Sequence, residues 1–299
     1  MRLSGFTFVR NAVRLDYPVV ESISSILPIV DEFIVNVGPD EDGTLDLIRS
    51  IGDPKIKIIQ SQWNPNLTTG AYIYAQQTNI ALFNCMGKWA FYLQADEVVH
   101  EEDLSVIMKY VDHYIDDDHV EGLALSELNF WGDYKTIINV YPWRGRKRCW
   151  IIKPHCFVLS RGDAAGFTVH PKYKEQGHRI RVVDTGARLF HYCNVKSEKA
   201  LRAKRQTVAN YWKEDSSKCS SKGLYQNFPR RFVEPYNGTH PKVMLERIKN
   251  HTVSLDLSSP QWVTKMTWKD YWRIVKTMLT ESITDKFSGK GSYRLLREK

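Results

Sequence analysis

The feature that most constrains the fold is a short apolar run that ends in acidic residues. The run is Trp89–Leu93, and Asp96 and Glu97 follow it closely. Its length and its aromatic content predict a buried central strand. Ligands of open α/β sheets bind outside the carboxyl ends of the strands, so an acidic pair at this place can hold a divalent metal and a phosphate. A solvated turn before the next helix is the alternative interpretation.

Strands and helices alternate over the first part of the chain. Apolar runs predict the strands, and apolar residues at helical spacing predict the helices, the first of them capped by Asp16 with Pro18 in its first turn. This alternation implies a mostly parallel sheet with right-handed crossovers. The predicted strands are Leu3–Val9, Glu32–Val37, Lys55–Ile59 and Trp89–Leu93, and the later helices are Thr44–Ser50 and Ala71–Cys85, the last one ended by Gly87.

The pattern changes after a predicted amphipathic helix at Glu101–Tyr114. Shorter runs of strand-forming residues follow, and helical spacing returns near the C-terminus. The second half should therefore be a part with mixed strands, followed by a helical part. The strands are predicted at Gly122–Glu127, Thr136–Tyr141, Cys149–Ile152 and Cys156–Leu159, and the helices at Ser197–Trp212 and Trp262–Ile283.

The composition allows one large or two small globular domains, because 42% of the 299 residues are hydrophobic and 25% are charged. The net charge of +8 indicates anionic partners, but no helix-turn-helix, RNP or zinc-finger pattern is present, so no nucleic acid is expected. The five cysteines are scattered and form no Cys-x-x-Cys pair, which favours neither disulfides nor a zinc site. With no apolar run of about 18 residues and no signal-peptide pattern, we expect a cytoplasmic protein.

The acidic segment resembles the metal-binding aspartate motif of family 2 glycosyltransferases with the GT-A fold. That motif usually reads Asp-Ala-Asp-Glu, and here Gln94 replaces its first Asp, which leaves Asp96 as the better candidate for the metal ligand. A neutral amide removes one negative charge and should weaken a metal site. The resemblance extends to the Arg10-Asn11 loop after the first strand, the Asp42-Gly43-Thr44 loop and the Thr78-Asn79 pair.

This resemblance implies an α/β protein of the GT-A type with a Rossmann-like sheet. Residues 1–213 would form the glycosyltransferase domain, with a nucleotide-sugar half (1–100) and an acceptor half (101–213), and residues 214–299 a helical C-terminal extension. The family puts an acid that reads the base where this sequence has Gly38, so no preference for uracil carries over. Ordinary turn and cap chemistry is the alternative role for the loop residues. The residues implied in nucleotide-sugar binding are Phe8, Arg10, Asn11, Gly38, Asp42, Asn79, Gln94, Ala95 and Asp96.

Three segments of the second half resemble segments found together in a bacterial subgroup of the same family. They span residues 129–134, 143–146 and 162–167. Their aromatic side chains can stack on sugar rings, and their arginines, together with Arg148, can meet phosphates. Aromatic cross-strand pairs with solvated arginines are the alternative. The predicted acceptor-binding residues are Trp131, Tyr134, Trp143, Arg144 and Arg146.

Inversion at an anomeric carbon needs a general base near the acceptor hydroxyl, normally a carboxylate. Classical members of the family use an Asp in a Glu-Asp pair after a Gly-Gly-Phe segment, but no such pair follows Phe167. Asp163, in a loop flanked by glycines, is the first candidate for the base, and Glu127 is the second. A purely structural turn is the alternative role of Asp163.

His191 is the candidate for a second metal ligand. It lies in Phe190-His191-Tyr192, and the same subgroup typically carries Phe-His-Tyr at this place. A histidine there commonly completes the metal site of GT-A enzymes, and an imidazole suits Mn²⁺ better than Mg²⁺. The expected cofactor is therefore Mn²⁺ (or Mg²⁺) at Asp96 and His191. A structural histidine is the alternative.

The resemblance implies an inverting, metal-dependent glycosyltransferase. It would move a sugar, as a hexosyltransferase does, from a nucleotide-diphosphate sugar to a hydroxyl of a glycan or glycolipid, as in polysaccharide biosynthesis. The basic aromatic pattern at 262–283 predicts a helix that packs on its own domain, forms a homodimer, or contacts the inner face of a membrane peripherally. The alternatives are a sugar-nucleotide nucleotidyltransferase, whose Gly-rich signature is missing after the first strand, and a non-catalytic protein that binds nucleic acid or glycan.

Overall fold

The first four strands form a parallel sheet. The computed structural model describes residues 1–67, 69–171, 176–212, 225–226, 228–260, 262, 266–282 and 293–296. The strands lie in the order β4-β1-β2-β3, and all their mutual pairings are parallel. They are β1 (Leu3–Val9), β2 (Glu32–Val37), β3 (Ile56–Gln60) and β4 (Trp89–Tyr92), which confirms the four predicted strands to within one residue at each end.

Three helices connect these strands, namely α1 (Val19–Ile26), α2 (Thr44–Arg49) and α3 (Tyr72–Leu82). Helix α1 buries Val19, Ile23 and Ile26, because apolar residues three and four positions apart share one face of a helix. Every residue of β2 and of β4 is buried, as expected for strands covered on both faces. The predicted alternation of strands and helices is confirmed.

The second half of the chain extends the same sheet with mixed pairings. Strand β8 (Lys147–Ile152) lies antiparallel between β4 and β6 (Gly122–Trp131). Strand β11 (Ile180–Asn194) pairs in parallel with β6 and antiparallel with β5 (Glu97–Val99). Strands β9 and β10 form a separate antiparallel hairpin. The elements of this half are β5 (Glu97–Val99), α4 (Leu104–His113), β6 (Gly122–Trp131), β7 (Thr136–Ile138), β8 (Lys147–Ile152), β9 (Val158–Arg161), β10 (Gly166–Val169), β11 (Ile180–Asn194) and α5 (Glu198–Trp212).

The C-terminal part combines helices with two strands that join the sheet. It contains β12 (Val233–Pro235), α6 (Leu245–Lys249), α7 (Trp268–Ser282) and β13 (Tyr293–Leu295). Strand β12 pairs with β7, and β13 pairs with β11. Trp131 of β6, Leu201 of α5 and Trp262 lie in one apolar cluster. The predicted domain boundary between residues 213 and 214 lies outside the described residues. Among the helices that are described, none has the length and the apolar character needed to cross a membrane.

The predicted role of Asp16 as a helix cap is wrong. Helix α1 begins at Val19, its N-cap is Pro18, and no side chain caps it. The Asp16 carboxylate instead accepts a hydrogen bond from Arg247 of α6. This contact ties the turn before α1 to the C-terminal part, a long-range partner that a local capping rule cannot reveal.

The predicted role of Gly87 is also wrong. Helix α3 ends at Leu82, well before the glycine. A Cβ atom at Gly87 would lie 2.7 Å from the Ser4 main-chain nitrogen and 2.6 Å from the Trp89 carbonyl oxygen. Glycine is therefore needed here because two chain segments approach each other closely, and not because a helix ends.

Candidate active site

A cavity of about 830 Å³ opens at the carboxyl ends of the four parallel strands. It is lined by residues 10 and 11 after β1, Pro39 after β2, Trp63 after β3 and residues 94–96 after β4. Parallel strands end at one edge of a sheet, so the loops that follow them meet there. The volume falls within the range of roughly 300–1,000 Å³ that small-molecule sites occupy.

One wall of the cavity is aromatic. The ring of Phe8 stacks on Tyr74 with centroids 5.7 Å apart, and the Trp63 ring lies 5.8 Å from Tyr211 of α5. The Arg10 guanidinium lies over the Trp63 indole, 5.5 Å from the ring centroid. The Trp63 Nε1 atom is buried and has no hydrogen-bond partner within the described part of the chain. This wall therefore offers stacking surfaces to a ligand.

Gly38 lies behind this wall. A Cβ atom at position 38 would be only 2.5 Å from Trp63 Nε1, so the indole occupies the space that a side chain at this position would need. The role of Gly38 in nucleotide-sugar binding stays a prediction.

Asp96 lies just past β4, with its carboxylate in the cavity lining. The Lys204 ammonium of α5 donates a hydrogen bond to Asp96 Oδ2 at 2.7 Å, and Asp96 Oδ1 lies 3.6 Å from His191 Nε2. Burial by itself would raise the pKa of Asp96, but Lys204, His191 and Lys196 hold that pKa well below its usual range. Asp96 is therefore an anion that protein cations already neutralise.

Asp96, His191 and Cys193 each offer one ligand atom, and these atoms lie within 4.8 Å of one another. The three residues thus form a candidate cation site. One observation opposes a metal in this arrangement, because Lys204 donates to both Asp96 Oδ2 and Cys193 Sγ. Although burial opposes it, the pKa of His191 is raised well above its usual value by Cys193, Asp96 and Glu127. The residues fit an ion only once Lys204 has left.

Glu127 is buried on β6 and faces three cationic groups. Its Oε1 accepts from Arg148 Nε at 3.2 Å and lies 3.2 Å from His191 Nδ1, while its Oε2 lies 3.5 Å from Arg146 Nε. Burial opposes ionisation, but Arg148, His191 and Arg146 together hold the pKa of Glu127 far below its usual range. The carboxylate therefore orients the two arginines, both of which line the cavity.

Glu97, the other acid of the strand-end pair, points away from the cavity. Its Oε2 accepts from the Trp150 indole N–H at 2.8 Å and from the Gln94 main-chain N–H at 2.9 Å. Burial raises the pKa of Glu97 to about 7, with Glu127 adding to the effect. This carboxyl holds the turn that presents Asp96.

Asp163 lies at the tip of the β9–β10 hairpin and lines the cavity. Gly162 and Ala164 on either side have positive φ angles of 60° and 61°, which bend the chain sharply at this point. The Asp163 carboxylate accepts from the Ala165 N–H at 3.2 Å, and the Ala165 carbonyl accepts from Arg148 at 3.1 Å. The hairpin tip is thus fixed against the arginine that Glu127 orients.

The structure brings many, but not all, of the predicted residues to the cavity. Asn79 instead exchanges two hydrogen bonds with the Ser160 backbone and anchors β9, and Asp42 accepts from the Arg14 main-chain N–H. The described lining lacks Gly38, Asp42, Asn79, Glu127, Trp131, Tyr134, Trp143, Arg144 and His191, and it contains Phe8, Arg10, Asn11, Gln94, Ala95, Asp96, Arg146 and Asp163.

The predicted acceptor aromatics lie in packed clusters. The Trp131 indole donates to the Tyr225 carbonyl at 3.1 Å, and Tyr134 packs against Tyr192. Trp143 packs beside Phe228. These surroundings match the alternative interpretation, in which the aromatic residues are packing partners, and their role in acceptor binding stays a prediction.

No protein-family model and no curated protein matches the sequence. Similar solved structures include TarS of S. aureus, with a TM-score of 0.40 and 14% identity over 70% of this chain and 39% of that chain. TarS 1-349 in complex with UDP-GlcNAc has a TM-score of 0.38 and 14% identity over 73% of this chain and 69% of that chain. The mannosyltransferase PcManGT of Pyrobaculum calidifontis, in complex with GDP-Man and Mn²⁺, has a TM-score of 0.31 and 18% identity over 43% of this chain and 36% of that chain.

This chain thus spans well under half the length of the first of these relatives. The structural neighbours are glycosyltransferases that bind nucleotide sugars, but their TM-scores and identities are too low to transfer a fold family or an activity to this chain.

Sequence reasoning missed the contribution of α5. Lys204, Thr207, Val208 and Tyr211 all line the cavity, and their spacing of three and four residues puts them on one helix face. The helix itself is predicted correctly, and the mixed polar and aromatic character of that face is the signal that could have identified it. Trp63 and Tyr74, which belong to the aromatic wall, carry no comparable sequence signal.

Proposed function

We propose that this chain is a glycosyltransferase of the GT-A type that moves a sugar from a nucleotide-diphosphate sugar to a hydroxyl of a glycan or glycolipid, with inversion. The observation that carries the proposal is the lining of the cavity at the strand ends. It combines the aromatic wall with two carboxylates and five cationic side chains, Arg10, Arg14, Arg146, Arg148 and Lys204. These groups can stack on a base, accept a proton and neutralise a diphosphate.

In this proposal the base of the donor stacks on the aromatic wall. The diphosphate lies towards Arg146 and Arg148, whose guanidinium groups suit phosphate oxygens. Glu127 contributes by fixing both arginines, which removes the entropic cost of ordering them on binding.

Asp163 is the proposed base, because it is the second carboxylate in the lining, while the first, Asp96, is held by Lys204. It takes the proton of the acceptor hydroxyl while the acceptor oxygen attacks the anomeric carbon. General base catalysis of this kind contributes about 10²- to 10⁴-fold in rate. Glu127, with a fully buried side chain held between cations, is the weaker candidate.

A glycolipid acceptor is supported by the outer face of α7. Trp268, Tyr271, Trp272, Val275 and Leu279 are between 43% and 72% exposed, and their spacing makes one apolar stripe. The polar Asp270 and Thr277 on the opposite face are the buried ones. A helix with its apolar stripe outward can lie on a membrane surface. Co-sedimentation with anionic vesicles should show binding, whereas a dimer in light scattering without vesicle binding would assign the stripe to a second subunit.

Calorimetry and a transfer assay with a panel of UDP- and GDP-sugars test the proposal. We expect one donor to bind and to release its nucleoside diphosphate when an acceptor is present. Arg148→Met should weaken binding at least about tenfold, since it removes a charge-assisted contact, while Arg49→Met on the exposed face of α2 serves as the matched control. Binding by no member of the panel, or release of pyrophosphate from a nucleoside triphosphate and a sugar phosphate, would refute it. Titrations with Mn²⁺ and with a chelator test the predicted cofactor in the same experiment.

A further inference from the structure

Lys204 occupies the position beside Asp96 where the sequence predicts a divalent metal. Its ammonium donates to Asp96 Oδ2 at 2.7 Å, to Cys193 Sγ at 2.9 Å and to the Cys193 carbonyl at 3.3 Å. Only 14% of the Lys204 side chain is exposed. We propose that Lys204, and not a bound metal ion, is the counter-cation of Asp96 and of the departing diphosphate. This inference rests on the proposed glycosyltransferase function.

The contacts of Lys204 suit a group that is both anchored and able to donate to a substrate. The bond to Asp96 joins two full charges and fixes the ammonium. The Tyr17 ring supports it from another side, 5.0 Å away. The Cys193 sulfur is a weak acceptor, so an arriving phosphate oxygen can replace it without loss of the anchor.

A metal ion and Lys204 compete for the same carboxylate. An ion bound to Asp96 would lie about 2.0–2.2 Å from an oxygen of this carboxylate, beside the ammonium, and repulsion between buried charges is poorly screened. Gln94 replaces the acid that would otherwise add negative charge here. The described lining contains five cationic side chains and two carboxylates, and Glu127 and Glu41 outside the lining hold Arg146, Arg148 and Arg10 in place. In this proposal the donors of these guanidinium groups and of Lys204 meet the diphosphate oxygens in place of a metal.

The transfer step balances with these groups alone. The acceptor oxygen forms a bond to the anomeric carbon, and its proton passes to the Asp163 carboxylate. The bond between the anomeric carbon and the diphosphate oxygen breaks, and its electron pair stays on the diphosphate. Lys204 donates a hydrogen bond to the phosphate oxygens as this charge develops, which is the point at which a fixed cation stabilises the transition state most.

Titration of the free protein with Mn²⁺, monitored by electron paramagnetic resonance, tests the competition between Mn²⁺ and Lys204 for Asp96 without any substrate. The wild type should bind Mn²⁺ weakly, and Lys204→Met should bind it at least about tenfold more tightly, because the freed carboxylate regains an unpaired charge. Lys199→Met is the matched control, since Lys199 is exposed on the same helix, and it should behave as the wild type. Tight binding by the wild type that Lys204→Met leaves unchanged would overturn the inference.

A second arm measures binding of UDP and of GDP, and sugar transfer, in the presence of EDTA. The wild type and Lys199→Met should keep their affinity and rate, whereas Lys204→Met should lose at least about a hundredfold in rate, and Lys204→Arg should retain most of it. If the wild type binds and transfers only with Mn²⁺, the Lys204 inference is wrong while the proposed function stands. If neither nucleotide binds with or without Mn²⁺, the proposed function fails as well. Should Lys204→Met not fold, Lys204→Gln supplies the same comparison, because it removes the charge beside the Asp96 carboxylate and keeps a hydrogen-bond donor.

Discussion

Replacement of Asp96 by alanine should destabilise the fold as well as abolish turnover. A residue that follows a strand end would ordinarily tolerate alanine, but Asp96 is only 6% exposed and its carboxylate accepts from the Lys204 ammonium at 2.7 Å. The alanine leaves a buried ammonium without its counter-charge, and breaking a buried pair in this way costs about 3–5 kcal/mol. Because Lys204 keeps its bonds to Cys193, the lower end, about 3 kcal/mol, is expected.

Urea unfolding at pH 7, monitored by circular dichroism, measures this loss in the free energy of unfolding. The comparison needs the wild type, Asp96→Ala, Lys204→Met and the double variant. The double variant should be more stable than either single variant, because it leaves no unpaired charge. Free energies of unfolding of the single variants within about 0.5 kcal/mol of the wild type, or a double variant that loses the sum of the two single losses, would show that the pair is not coupled and that the reasoning is wrong.

Three further outcomes are expected. Asp163→Asn should slow transfer by about 10²- to 10⁴-fold while nucleotide binding persists, and normal transfer by this variant alongside an inactive Glu127→Gln would make Glu127 the base. Burial raises the pKa of Glu97 to about 7, so the contribution of this carboxyl to stability is fully present below about pH 4.5 and falls by about 3 kcal/mol as pH rises through 7. The free energy of unfolding should therefore change more unfavourably from pH 5 to pH 8 in the wild type than in Glu97→Gln. Gly38→Ala should weaken nucleotide affinity about tenfold by displacing Trp63, and unchanged calorimetric affinity would contradict this.

The sheet could be predicted from the sequence because its signals are local. Apolar runs bounded by glycine and polar residues identify β1 to β4 almost to the residue, and parallel strands bring Arg10 and Asp96 to one edge whatever the details of packing. The same argument explains why most of the residues predicted to bind the nucleotide sugar line the cavity.

The partners of these residues were not predictable, because they are distant in sequence. Lys204 and Asp96 are 108 positions apart in the sequence. Arg148 on β8 donates to Glu127 on β6, and local sequence patterns do not determine the register in which these two strands pair. Glu127 and Trp131 illustrate the limit. Their residue types suit catalysis or sugar binding equally well, and only burial distinguishes those roles from packing and charge pairing.

The close contact between Gly38 and Trp63 also restricts how this protein can evolve. An acidic side chain cannot be gained at position 38 while the indole lies 2.5 Å from the Cβ position, so the tryptophan has to be replaced first. In the proposed donor site, that first replacement removes a stacking surface before any new contact exists. Under that proposal a change of base preference has to pass through a weaker binder, and libraries of single substitutions should not recover it.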